Sequence, residues 1–149
     1  MQIVVARPPN YDEIVAKFPF AANGGVIFTY GRTIYNPSAV AISGALKSHE
    51  AVHADRQGED VDGWWRRYLA DPVFRLEEEL LAHRAEYRST KTFILDPNAR
   101  ARELQRIAER LGGPLYNQAI SVALARRLIS VDVDRKKVSK LLREQEALV

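Results

Sequence analysis

Hydrophobic positions change their period along this chain, and the change divides it into a short β portion and a longer helical one. Met1 to Pro9 (MQIVVARPP) is a brief apolar run closed by two prolines and reads as a strand. Tyr11 to Phe18 places Ile14, Val15 and Phe18 on one side of a short helix that Pro19 stops. Asn23-Gly24-Gly25 is a turn. Val26 to Tyr30 and Thr33 to Tyr35 are rich in β-branched and aromatic residues, and Gly31-Arg32 can turn between them, so a hairpin is expected here.

From about Ser43 the spacing becomes helical and runs to Gln57, with Leu46, His49, Glu50 and His53 on one face and Gly58 placed to end the helix. Glu59 to Asp71 reads as a connection with one short helix. Pro72 to Phe93 is a long run of helix formers with proline in its first turn. Pro97 opens another helix that ends at Gly112-Gly113-Pro114. Asn117 to Ser130 suggests a further helix, with Ser121 as a cap. The charged, amphipathic tail 131–149 is read as a peripheral helix or a mobile arm. The expected fold class is α+β, mostly helical: a short N-terminal β-hairpin or sheet followed by four or five helices, in one domain spanning residues 1–149.

Composition narrows the chemistry. The chain has 149 residues and no cysteine, which removes disulfides, thiolate metal sites and thiol nucleophiles. Its net charge of +3 is too mild to imply nucleic acid, which is not expected as a partner. No apolar run reaches the roughly eighteen residues of a membrane span, and the N-terminus does not read as a signal peptide. A cytoplasmic or virion-associated location is the corresponding expectation.

The segment Ser48 to Gln57, SHEAVHADRQ, carries the clearest candidate chemistry. A helix turns about 100° per residue, so His49 and His53 project from one face, one turn apart, and can converge on a single cation. Zn²⁺ accepts neutral imidazole nitrogens. Glu50 sits beside them, where a carboxylate can act as general base towards an activated water. This is the H-E-x-x-H pattern of zinc hydrolases. A solvated helix face bearing two histidines is the competing reading.

A catalytic zinc needs a third protein ligand and an open position. The longer pattern H-E-x-x-H-x-x-G-x-x-H fails, because Arg56 stands where glycine should be and Glu59 where the third histidine should be. The helix from Pro72 offers Glu77, Glu78, Glu79 and Glu86, with His83 one turn after Glu79. Glu77 and Glu78 read as a solvated acidic face near a helix N-terminus. Glu79 is the favoured ligand, since the small Ala82 one turn on lets two helices approach. Tyr68, His83, Arg84 and Tyr87 are candidates to stabilise an oxyanion. The run Trp64-Trp65-Arg66-Arg67-Tyr68 is read chiefly as an anchor on the core, with a peptide- or nucleic-acid-binding lip as the alternative.

Taken together, these segments resemble the gluzincins, zinc peptidases with H-E-x-x-H on one helix and a glutamate ligand on a later one. Glu79-Leu80-Leu81-Ala82 is similar to the E-x-x-A signature of the Ste24/HtpX-like and ImmA/IrrE-like peptidases. The longer arrangement from Gly31 to Tyr116 resembles small metallopeptidases of tailed phages and prophages. The resemblance implies a zincin-like fold, Zn²⁺ as cofactor, ligands His49, His53 and Glu79, and Glu50 as general base. It implies a peptide or protein substrate and, as partners, phage assembly or virion proteins. One departure stands out: His83 follows the E-x-x-A alanine where the Ste24/HtpX-like sequences carry aspartate. His83 is therefore open as a group supporting a ligand, an oxyanion stabiliser, a fourth ligand that closes the site, or a histidine bonded to a backbone carbonyl. Two alternatives to a peptidase remain: a non-catalytic, zinc-stabilised module of a phage particle, and a regulator-cleaving or DNA-associated factor.

Overall fold

The computed structural model describes residues 1–116, 118–130 and 135–147. The chain runs β1 (Gln2–Val4), α1 (Tyr11–Lys17), β2 (Phe28–Tyr30), β3 (Thr33–Tyr35), α2 (Gly44–Gln57), α3 (Val61–Ala70), α4 (Pro72–Phe93), α5 (Pro97–Leu111), α6 (Val122–Ser130) and α7 (Arg135–Ala147). Short 3-10 turns lie at Pro19–Ala22 and Pro114–Tyr116. The mostly helical α+β class is as expected.

The sheet has the order β1-β3-β2. The expected hairpin pairs Phe28 with Tyr35 and Tyr30 with Thr33, and Gly31 takes the positive φ (59°) that its tight turn needs. The N-terminal strand adds to the other side of β3 in parallel, with Ile3 opposite Ile34.

Helix ends follow their sequence signals. Ser43 caps α2 by accepting from the Leu46 amide, and Gly58 (φ 54°) ends it. Asp71 caps α4 through the amides of Val73 and Phe74, just ahead of Pro72. Ser121 caps α6 by accepting from Leu124, so this helix begins after Ser121 rather than near Asn117. Six helices follow β3 among the described residues, against the four or five expected. The tail from Arg135 is helical and buries Leu142, while 131–134 and 148–149 lie outside the described residues.

α4 is the central helix. Thirteen of its 22 residues are buried, because α2, α3, α5, α6 and α7 all pack on it. This overturns the reading of Glu77 and Glu78 as a solvated face: they are 7% and 0% exposed. Glu78 is held by Arg56 of α2 and by the indole N–H of Trp64. Glu77 keeps one carboxylate oxygen, Oε1, buried without a hydrogen-bond partner.

Two apolar clusters flank α4. One joins Ile14, Phe28, Trp64, Trp65 and Phe74; the other joins Leu76, Leu80, Leu104, Ile107 and Leu128. Trp64 and Trp65 are thus core anchors. The histidine cluster sits between these two bodies: His53 packs edge-on to Trp64 on one side, and His83 edge-on to Tyr116 on the other.

Candidate metal centre

α2 and α4 lie side by side, and their facing turns bring together the residues singled out by spacing. His49, His53 and Glu79 are 6%, 7% and 3% exposed. The Nε2 atoms of His49 and His53 stand 3.1 Å apart. His49 Nε2 is 3.5 Å from Glu79 Oε2, and His53 Nε2 is 3.4 Å from Glu79 Oε1. Two imidazole nitrogens facing each other at this distance cannot both present lone pairs unless a proton or a cation lies between them. A tetrahedral ion with bonds of about 2.0–2.1 Å separates its ligands by roughly 3.3–3.4 Å. The histidine nitrogens stand at about that separation from each other and each from one oxygen of Glu79, and this group could hold a metal ion.

The surrounding groups orient the donors. His49 Nδ1 lies 3.2 Å from Glu86 Oε2, and Arg110 donates to the other oxygen of Glu86. That carboxylate keeps the proton on Nδ1 and turns Nε2 towards the cluster. Glu79 accepts from Tyr68 Oη (2.5 Å) and from Tyr116 Oη (2.8 Å), one phenol on each oxygen. Glu50 is anchored by β2: Thr29 Oγ1 donates to Glu50 Oε2 at 2.7 Å, which leaves Oε1 3.9 Å from His49 Nε2. His53 Nδ1 is buried with no partner.

Charge in the cluster is correspondingly displaced. Burial opposes ionisation of His49, yet hydrogen bonds to Glu79 and Glu86 outweigh it and raise its pKa to about 10. Burial would raise Glu79, but the two histidines hold it well below the usual carboxylate range. Glu86 behaves likewise, falling to about 2 against its burial through His49 and Arg110. His83 is driven down to about 3 by burial and by His49, so it is neutral. Burial, reinforced by Glu79, pushes the Tyr68 and Tyr116 phenols well above their normal range.

The remaining candidates fall into different places. His83 Nδ1 lies 2.6 Å from the Glu79 carbonyl, one turn back on the same helix, so the backbone-bonded role is present. His83 is outside the His49–His53–Glu79 group, although with His49 and Glu86 it forms a second set that could hold an ion. Within that second set, His49 Nδ1 and Glu86 Oε2 already lie 3.2 Å apart. Arg84 donates to the Leu128 carbonyl and ties α4 to α6. Tyr87 packs on the α5–α6 cluster with Lys91 over its ring, away from the His49–Glu79 cavity. Thr29, Arg110 and Tyr116 reach the site from elements remote in sequence, and no spacing rule pointed to them. Glu86 was visible as a carboxylate seven residues after Glu79, on the same helical face.

A cavity of about 280 Å³ opens onto this cluster, lined by Glu50, Trp64, Tyr68, Arg75, Tyr116 and the segment just before β2. The outer edge of β2 is closed at Thr29, whose carbonyl accepts from Gln57 Nε2 (2.8 Å) and Trp65 Nε1 (3.2 Å). An added strand therefore cannot pair there; the segment 25–27 just ahead of it lines the cavity instead. No described helix is long and apolar enough to cross a membrane.

No family model, curated protein or solved structure matches this chain.

Proposed function

We propose that this chain is a zinc-dependent peptide-bond hydrolase in which α2 and α4 act as a zincin-like pair of ligand helices. The observation that carries the reading is the convergence of His49, His53 and Glu79, with the two Nε2 atoms 3.1 Å apart and each 3.4 to 3.5 Å from one oxygen of the Glu79 carboxylate, set beside a carboxylate, Glu50, that is tethered at one oxygen only. Two imidazoles and one carboxylate are a donor set that suits zinc, and His83 stands outside it, which supports an open position. When bound, such an ion supplies Lewis-acid chemistry, polarising a carbonyl and lowering the pKa of water.

The chain's own groups do the rest. Thr29 holds Glu50 Oε2 so that Oε1 can take the proton of the attacking water and hand it to the leaving amine. Tyr68 and Tyr116 keep the Glu79 carboxylate in one orientation. The apolar walls from Phe28, Trp64 and Trp65 limit bulk water around the reacting carbonyl. Peptides or proteins are the substrate class, including, on the sequence resemblance, proteins of a phage particle.

Elemental analysis of the purified chain tests the reading. About one zinc per chain is expected, lost in Glu79→Ala and kept in His83→Ala. Glu50→Gln should keep the zinc and abolish peptide hydrolysis. No zinc after reconstitution would remove the proposal. Zinc that is lost with His83→Ala as well would indicate a closed, structural site instead.

A further inference from the structure

Arg75 is a buried cation on the wall of the same cavity and takes no part in the proposed chemistry. It is 4% exposed. Its Nε donates to the Tyr68 carbonyl at 3.1 Å and its Nη2 to the Leu69 carbonyl at 3.3 Å. Its guanidinium lies over the rings of Phe18 (4.8 Å) and Tyr68 (5.6 Å). These contacts cap the end of α3 and explain why an arginine stands there. They do not supply a counter-ion: among the described residues no carboxylate comes within ion-pair distance of it. Arg56 and Arg110, by contrast, each pair with a buried glutamate, Glu78 and Glu86.

The remaining nitrogen is the informative one. Arg75 Nη1 has no protein partner among the described residues, yet it is not among the buried atoms left without one, so it keeps accessible surface. Burial pulls the group below the usual arginine range, and the charges of Glu79 and Asp71, neither within ion-pair distance, only partly offset it. A guanidinium fixed at two nitrogens, lying against two aromatic rings and open at the third nitrogen is organised to receive a carboxylate.

Position relates this group to the candidate metal centre. Arg75 lies one helical turn before Glu79 on α4, so their Cβ atoms are about 5–6 Å apart. One residue of extended peptide spans about 3.3–3.6 Å. A carboxylate one or two residues beyond a bond held at the His49–His53–Glu79 group would reach Arg75. The small cavity, about 280 Å³, suits a chain end or a short peptide better than a folded loop.

We infer that Arg75 forms a carboxylate-binding subsite, which takes either the free C-terminus of a peptide or an acidic side chain next to the bond at the metal centre. Its link to hydrolysis rests on the function proposed above; carboxylate binding itself does not.

The test is a ligand titration followed by the fluorescence of Trp64 and Trp65, which line the cavity. N-acetyl-dialanine is compared with its C-terminal amide, and N-acetyl-glutamate amide with N-acetyl-glutamine amide. Each pair is run on the full chain as purified and again after chelation, so that a carboxylate bound to metal is told from one bound to Arg75. In at least one pair the acid should bind about tenfold more tightly than its neutral partner, before and after chelation. The pair that shows it identifies the source as chain terminus or side chain. Arg75→Gln should bring acid and neutral ligand within about twofold. Arg75→Lys, which keeps the charge and loses the fork, should fall between.

Equal binding of acid and neutral ligand in both pairs would overturn the inference, and this comparison needs no variant to fold. So would a preference that survives Arg75→Gln. Zinc content separates this proposal from the other. Carboxylate preference in a chain that takes up no zinc removes the hydrolase and leaves the subsite; full zinc content without the preference does the reverse.

Discussion

Replacement of Glu86 by alanine should weaken zinc binding although Glu86 does not face the ion. Its Oε2 lies 3.2 Å from His49 Nδ1, and both residues are buried, at 3% and 6% exposure. Water therefore does little to screen or replace this contact. A hydrogen bond to a charged group contributes about 1.5–3 kcal/mol. Its loss frees the His49 ring to rotate and lets the proton settle on either nitrogen, so part of the population presents N–H rather than a lone pair to the metal. At about 1.4 kcal/mol per decade, that energy corresponds to a tenfold to hundredfold rise in the zinc dissociation constant, the range found when such supporting carboxylates are removed elsewhere. Glu86→Gln, which can still accept from Nδ1 but loses the charge that Arg110 also uses, should fall at the lower end. The assay is competition with a chromogenic chelator at fixed pH, alongside a thermal melt of the metal-free proteins. Dissociation constants within twofold of wild type for both variants would refute the argument that Glu86 orients His49.

Thr29→Val removes the hydroxyl that donates to Glu50 Oε2 while keeping the side-chain shape. Zinc content should stay near wild type and kcat should fall about tenfold, since a buried acceptor without its donor costs about 1–3 kcal/mol and Glu50 is no longer held; an unchanged kcat would separate Thr29 from the general base. Arg56→Ala and Glu78→Ala break the same pair but leave different remnants. Glu78 is sealed at 0% exposure, whereas the Arg56 side chain is 33% exposed and can turn to water. Urea unfolding should show Arg56→Ala as the more damaging, by about 1–2 kcal/mol after discounting for that exposure; the reverse order would show that the carboxylate finds another partner or is protonated.

Elements with local signals were legible in the sequence, and those defined by remote contacts were not. Ser43, Asp71, Pro72, Pro97 and Ser121 mark helix starts because capping is a contact over two or three residues. The hairpin was readable for the same reason. The parallel pairing of β1 with β3 was not, since it joins residues thirty-one apart through backbone groups that carry no side-chain signature. α4 misled for a physical reason. Three consecutive glutamates near a helix start ordinarily face water, and here Glu78 and Glu79 are held inside by Arg56, Trp64, Tyr68 and Tyr116, four residues from three other parts of the chain.

The same distinction runs through the site. His49, His53 and the Glu79–His83–Glu86 face are periodic on their helices, so spacing alone lines up their side chains. What makes the arrangement able to hold an ion is the crossing of α2 and α4, which sets donor atoms from the two helices 3.4 to 3.5 Å apart. α2 and α4 pack directly on one another, Ala54 and Ala82 are sealed at 2% and 0% exposure, and aromatic rings pack on either side of the histidines. A larger residue at Ala82 would push the helices apart while leaving the H-E-x-x-H letters untouched. The motif names the donors, but the packing of α2 on α4 sets whether they meet.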